Sequence, residues 1–322
     1  MDGLTYQDDH RGFGIPSQER GVPAVWAERF VDIPSGDGSA EGSILEGLCF
    51  DRAGDLYVCN PPRGRIFKVD MRAREVRLFC QLPDHMMPSS IKIDREGMLF
   101  STIVGSDFGS CVAVIDPKDG RVVDTLVRGY GHAFDDMVFT SEGGFYLSML
   151  DGDLCDATAG VLYVEPDHRT THWVIDGGMR ATNGISLSLD ERHLLVTEYG
   201  TSALHWIALA PDRYTVEPIG CWTPYHFLGY EGPDSTVIDA DENLYVSMCG
   251  QARFLVLDRD CIAIGQYLIP GRDQRRFNKS THIAIRPGVA EAYMCAADTT
   301  TGEAAIFRAG SFAPAYRSYQ FQ

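Results

Sequence analysis

No apolar run in this chain approaches the roughly 18 residues that a membrane-crossing helix needs. No cluster of Lys and Arg interrupts its acidic surplus. The 28 basic and 45 acidic residues leave a formal charge of −17. Such a chain repels phosphate backbones and anionic lipid surfaces, so neither nucleic acid nor membrane is expected as a partner. The segment MDGLTYQDDHRGFGIPSQER is polar and acidic and lacks the apolar centre of a signal peptide. A cytoplasmic location is the expectation. The nine cysteines are odd in number and form no CxxC pair. Several stand inside apolar runs, as in Leu48-Cys49-Phe50 and Met294-Cys295. They read as small buried hydrophobes in a reducing compartment. GxSxG, HExxH, Walker A and GxGxxG are absent too, which leaves serine-hydrolase, zincin and nucleotide readings without support. Amphipathic helical periodicity is weak throughout.

What the chain does have is a repeat. A polar residue, an apolar run, a charged turn and a second apolar run recur six times. The copies are Glu46-GLCFDRAGDLYVCN, Ser89-SIKIDREGMLFSTI, Asp135-DMVFTSEGGFYLSML, Asn183-GISLSLDERHLLVTE, Asp234-STVIDADENLYVSMC and Thr281-HIAIRPGVAEAYMCA. Each run is β-branched and aromatic, and each joint is rich in Asp and Gly, so each copy predicts a hairpin. Third runs such as Gly64-RIFKVD and Gly160-VLYVEPD add a further strand. Six even units of three to four strands predict an all-β fold, a six-bladed β-propeller with a central channel. Residues 1–322 are then one domain, in which a strand at about 24–33 completes the last blade and closes the ring.

The first position of the repeat reads Glu46, Ser89, Asp135, Asn183, Asp234 and Thr281, an oxygen donor every time. In a propeller these six positions converge on the axis. Three carboxylates and an amide gathered there repel one another unless a cation sits among them. Hard oxygen donors without Cys or His suit Ca²⁺, and less strictly Mg²⁺ or Mn²⁺. Ser235 adds a hydroxyl beside Asp234. His132 and His226 are placed at the channel mouth as candidate substrate contacts, with a structural or surface role as the alternative, and Ser89 of the ring joins them. His282 reads as a core histidine. Asp239, Asp241 and Asn243 look like the start of an EF-hand loop but lack its glycine and later Glu, so a plain turn is expected. The stretch Pro34-SGDGSAEGS reads as a loop at the mouth. Met86, Met87, Tyr130, Met149, Tyr225 and Phe227 are expected there as well.

Taken together, Leu45-EGLCFDRAGDLYV, Asp135-DMVF, Asn183-GISLS, Tyr230-EGPDS, Ile269-PGRD and Ser318-YQFQ resemble the gluconolactonase / senescence-marker-protein family. The resemblance runs over nearly the whole chain. It implies one divalent cation at the floor of the channel, most simply Ca²⁺, with Mg²⁺, Mn²⁺ or Zn²⁺ as alternatives. It implies ligands at Glu46, Asn183, Asp234 and Ser235, with Asp135 where many members carry Asn. It also implies hydrolysis of a small-molecule lactone, with Asp234 as acid/base as well as ligand, and Asp135 as the other carboxylate for that role. A second, structural cation is not expected, because its acidic position reads Val127 and the loop Gly105-SDFGSC is short. Three alternatives stand beside this one. They are phosphotriester hydrolysis at the same cation, non-hydrolytic biosynthetic chemistry on the same fold, and a non-catalytic interaction platform.

Overall fold

The computed structural model describes residues 13–34, 41–153 and 155–322. Their strands form six sheets. Each repeat makes one blade, and its first run is the innermost strand. These inner strands are Glu46–Phe50, Pro88–Ile93, Phe134–Phe139, Thr182–Leu187, Pro233–Ile238 and Lys279–Ile285. Each packs against the inner strand of the next blade, and the sixth packs against the first, so the ring closes. This is the six-bladed propeller that the repeat predicts.

The turns explain why each repeat folds back on itself. Asp51 and Asp94 each accept the backbone N–H four residues on, from Asp55 at 3.0 Å and Met98 at 2.8 Å. Asp239 does the same for Asn243 at 2.9 Å and also accepts from Tyr245 Oη. The EF-hand-like triplet is therefore an Asx turn, held by its own backbone. Between the blades the core is apolar and aromatic. Phe100, Phe139 and Phe145 meet edge to face at 5.1–6.2 Å.

The segment 24–33 divides at the buried Ala27. Glu28–Asp32 pairs antiparallel with Glu303–Gly310 as the outer strand of blade six. Ala24–Trp26 instead runs parallel to Ala263–Leu268, as a fifth strand of blade five. The residues just before it are anchored by Glu19, whose carboxylate meets the buried Arg253 at 2.5 Å. At the far end of the channel the C-terminal segment crosses the axis. Gln320 Nε2 donates to the Phe50 carbonyl at 2.8 Å, and the Tyr319 ring lies 5.0 Å from that of Phe139. A small cavity of about 110 Å³ remains above it, lined in part by Cys49, Lys92, His282 and Tyr316. Among the described residues no helix is long and apolar enough to cross a membrane.

Candidate functional site

Every inner strand is irregular at the same place. The register slips between Glu46 and Cys49, Pro88 and Ser90, Phe134 and Met137, Thr182 and Ile185, Pro233 and Thr236, and Ser280 and His282. A bulge turns a side chain out of the strict alternation of a strand. Each of these six contains or borders the repeat's oxygen-donor position. A second ring supports the first. The matching position of the six second strands reads Cys59, Thr102, Ser148, Thr197, Ser247 and Cys295, always a small hydroxyl or thiol. Thr102 donates to the carbonyl of Asp135, Ser148 to that of Asn183, and Thr197 to that of Asp234 at 2.8 Å. In blades two, three and four the second strand thus fixes the ring residue of the next blade.

The ring residues are nearly shut off from bulk water. Asp135, Asn183, Asp234 and Ser235 are buried, and the Glu46 side chain keeps 13% exposure. Burial raises the Glu46 carboxyl well above its ordinary range, and the charges of Asp234 and Asp135 raise it further. Asp234 is raised by burial and then by Asp135, against the Ser235 N–H that donates to its Oδ1 at 3.0 Å. For Asp135 burial prevails over the Ser89 hydroxyl, which donates at 2.5 Å, and its carboxyl is pushed up to about 7. The charges of Asp135 and Asp234 thus reach Glu46, and that of Asp135 reaches Asp234. Asn183 Oδ1 is buried and has no hydrogen-bond partner. Mutually repelling acids beside an unpartnered amide oxygen fit a hard divalent cation. Among the described residues, however, no three His, Cys, Asp or Glu stand together as a ready cage.

The other expected residues divide. Ser89 lies in the ring, on Asp135. His132 sits just before the inner strand of blade three, its Nδ1 3.0 Å from Asp151 Oδ2 and its ring edge-on to Trp173. His226 ends the outermost strand of blade four, opposite Ala203, and is exposed. That strand is three spacings out from the inner strand of its blade, about 14 Å at the usual ~4.8 Å, so His226 belongs to the outer rim. Met86, Met149 and Phe227 are core residues, and the Tyr225 hydroxyl is bound to Glu19. Met87 stays exposed. Residues 35–40 of the expected mouth loop lie outside the described residues. His282 is buried, and burial drives its pKa down to about 3, so it stands neutral 3.7 Å from Glu46. Cysteines 59, 80, 111, 249, 261 and 295 are buried and Cys49 nearly so, but Cys155 and Cys221 are exposed.

Sequence reasoning missed a polar clasp beside Asp234. Glu231 Oε2 accepts from Lys279 Nζ at 2.7 Å, from the Cys249 thiol at 2.9 Å and from Tyr199 Oη at 3.2 Å. These four residues come from blades four, five and six and the loop that joins them. Burial raises the Cys249 thiol, which also lies near enough to Asp234 for that carboxylate's charge to raise it further. Deeper in the channel Lys92 pairs with Asp136 at 3.0 Å. The signal for Glu231 was its place in EGPDS; nothing in the repeat pointed to Lys279.

Comparison with known proteins agrees with this geometry. Residues 128–275 match the model of the SMP-30/Gluconolactonase/LRE-like region. The chain is 40% identical over 325 residues to lactonase drp35 of Staphylococcus saprophyticus, covering 99% of this chain and 97% of that one. Among solved structures, a luciferin-regenerating enzyme superposes with a TM-score of 0.73 at 14% identity, over 92% of this chain and 99% of its own. A calcium-binding regucalcin from Agrobacterium tumefaciens superposes with a TM-score of 0.71 at 14% identity, over 91% and 98%. At such identities the two structures speak for the fold alone. With full-length identity at this level, bulged inner strands and the oxygen ring, the chain belongs to the SMP-30/gluconolactonase family.

Proposed function

We propose that the chain is a divalent-cation-dependent hydrolase of small-molecule lactones, with Ca²⁺ as the expected ion. The observation that carries the reading is the ring itself: Glu46, Asp135 and Asp234 within range of one another's charge, with the Asn183 amide oxygen unpartnered among them. The name of the staphylococcal relative supports the substrate class, and the regucalcin neighbour is itself described as calcium-binding. Glu46, Asn183, Asp234 and Ser235, with Asp135, are the residues that would hold the cation. When bound, it would polarise the lactone carbonyl and offset the charge of the developing oxyanion.

The chain's own residues supply the proton transfers. Asp234 takes a proton from the attacking water and returns one to the alkoxide released by ring opening. Asp135, with its pKa near 7, is the second carboxylate able to do this at neutral pH. Ser89 fixes the orientation of Asp135 through its 2.5 Å hydrogen bond. The ring is buried, so the competing solvation of these groups by bulk water is small. His132, braced by Asp151 and Trp173, is the remaining candidate for substrate contact at the mouth.

The test is Asp234→Asn and Asp135→Asn in parallel, with bound cation and lactone turnover both measured. Asp234→Asn is expected to lower kcat by about 10²–10⁴ in protein that stays folded. An Asp234→Asn protein that keeps both its cation and its turnover would overturn the assignment.

A further inference from the structure

Blade four carries a second cluster of reactive groups, away from the axis. Glu198 ends its second strand, His205 lies in its third, Ala203–Leu209, and Cys221 in its outermost, Val216–His226. His205 Nε2 is 2.6 Å from Glu198 Oε2, and the carboxylate is fixed in turn by the Arg180 backbone N–H at 2.8 Å. The other ring nitrogen, Nδ1, faces the Thr223 hydroxyl at 3.3 Å, and Cys221 pairs across the sheet with Ile207, which is two residues from His205 on the same face of its strand. The His205 side chain is 17% exposed and that of Glu198 5%, whereas Cys221 is open to solvent. The sheet register slips on both sides of the Cys221–Trp222 pairings, which sets this stretch apart from the regular ladder.

Carboxylate, imidazole and thiol thus stand in line, with the thiol outermost. Although burial opposes it, hydrogen bonding to Cys221 and Glu198 raises the His205 pKa to about 9, so the ring is an imidazolium at neutral pH. An imidazole beside an exposed thiol, oriented in turn by a carboxylate, is the arrangement that activates a sulfur nucleophile. The chain also contains its own control. Cys155 is likewise exposed, and its backbone N–H donates to the Asp153 carboxylate.

We propose that Cys221 is a modification site for soft carbon electrophiles, such as alkyl halides and α,β-unsaturated carbonyls, activated by His205 with Glu198 as the orienting acid. With an unsaturated carbonyl, the sulfur forms a bond to the β-carbon. The alkene electron pair moves to the enolate, and the imidazolium proton, taken originally from the thiol, completes the adduct at carbon. With iodoacetamide, an S–C bond replaces the C–I bond and iodide leaves with the electron pair. Neither step needs an oxidant.

The experiment is limited alkylation of the whole native protein with iodoacetamide at neutral pH, with the two cysteines quantified separately by peptide mass spectrometry. Cys221 is expected to react about tenfold faster than Cys155. In His205→Asn and in Glu198→Gln its rate is expected to fall to within about twofold of Cys155. Lactone turnover is expected to be unchanged in Cys221→Ser. Equal rates for the two cysteines in the unmodified sequence overturn the proposal, and that comparison needs no variant to fold. A Cys221 rate that survives His205→Asn in folded protein overturns it as well.

Discussion

Gly184 follows Asn183 directly, and the space beside its Cα is already taken. A Cβ there would lie 2.6 Å from the Thr236 amide nitrogen and 2.7 Å from the Asp234 carbonyl oxygen. Gly47, after Glu46, is similarly crowded and also has a φ of +57°, a backbone region that favours glycine. These glycines let neighbouring inner strands approach closely enough for their ring residues to face each other. Gly184→Ala is expected to destabilise the fold by about 1–3 kcal/mol and to weaken Ca²⁺ binding, as read by thermal unfolding and calorimetric titration. An unchanged affinity would mean that the spacing of blades four and five does not set the site. The ring acids were legible in the sequence because a fixed period places them at equivalent points of a closed ring. Glu231 and Lys279 were not, because their meeting depends on a loop in which Glu231 itself adopts φ +57°.

At the scale of elements, the bulge is one device written six times. It aims a side chain at the axis, and from blades two, three and four a Thr or Ser holds the backbone of the ring residue that follows. The small polar residue recurs at one register of the second strands and was readable there, but its purpose was not, since hydrogen bonds between blades have no signature in a single repeat. The segment 24–33 shows a second limit. Its apolar and β-branched residues mark strand structure, but not that the chain changes blade at Ala27. The Glu231 clasp fastens blades that the repeat alone would leave to apolar packing. Glu231→Gln leaves Lys279, whose side chain is only 26% exposed, without its counter-charge. The expected loss is roughly 2 kcal/mol, below the ~3–5 kcal/mol for a fully buried pair. A weaker hold on the cation should accompany it, because Glu231 lies three residues before Asp234 and its partner Cys249 is near both. Chemical denaturation and cation titration check the two effects separately.

Over the whole molecule, one channel holds three acids near one end and is crossed by the C-terminal segment at the other. Burial makes that arrangement sensitive to pH. Glu46, Asp135 and Asp234 all have raised pKa values in the folded state, so they bind protons that the unfolded chain has released. Their stabilisation is fully present below the ordinary carboxyl range and is lost as pH rises, for Asp135 through about 7. His282, lowered to about 3, acts in the opposite sense, because the unfolded chain takes up its proton below about pH 6.5. Three groups against one leave a net loss with rising pH. Cation-stripped protein is therefore expected to melt lower at about pH 8 than at about pH 5.5, and added Ca²⁺ is expected to restore the difference. A flat profile would show that neither burial nor mutual repulsion raises these acids. The most direct measurement is turnover of a small lactone panel, from gluconolactone to dihydrocoumarin and a five-membered alkyl lactone, by EDTA-stripped protein whose fold is confirmed by circular dichroism. Hydrolysis is expected to vanish on stripping and to return with Ca²⁺. Undiminished turnover in the stripped, folded protein would contradict the cation-dependent ring.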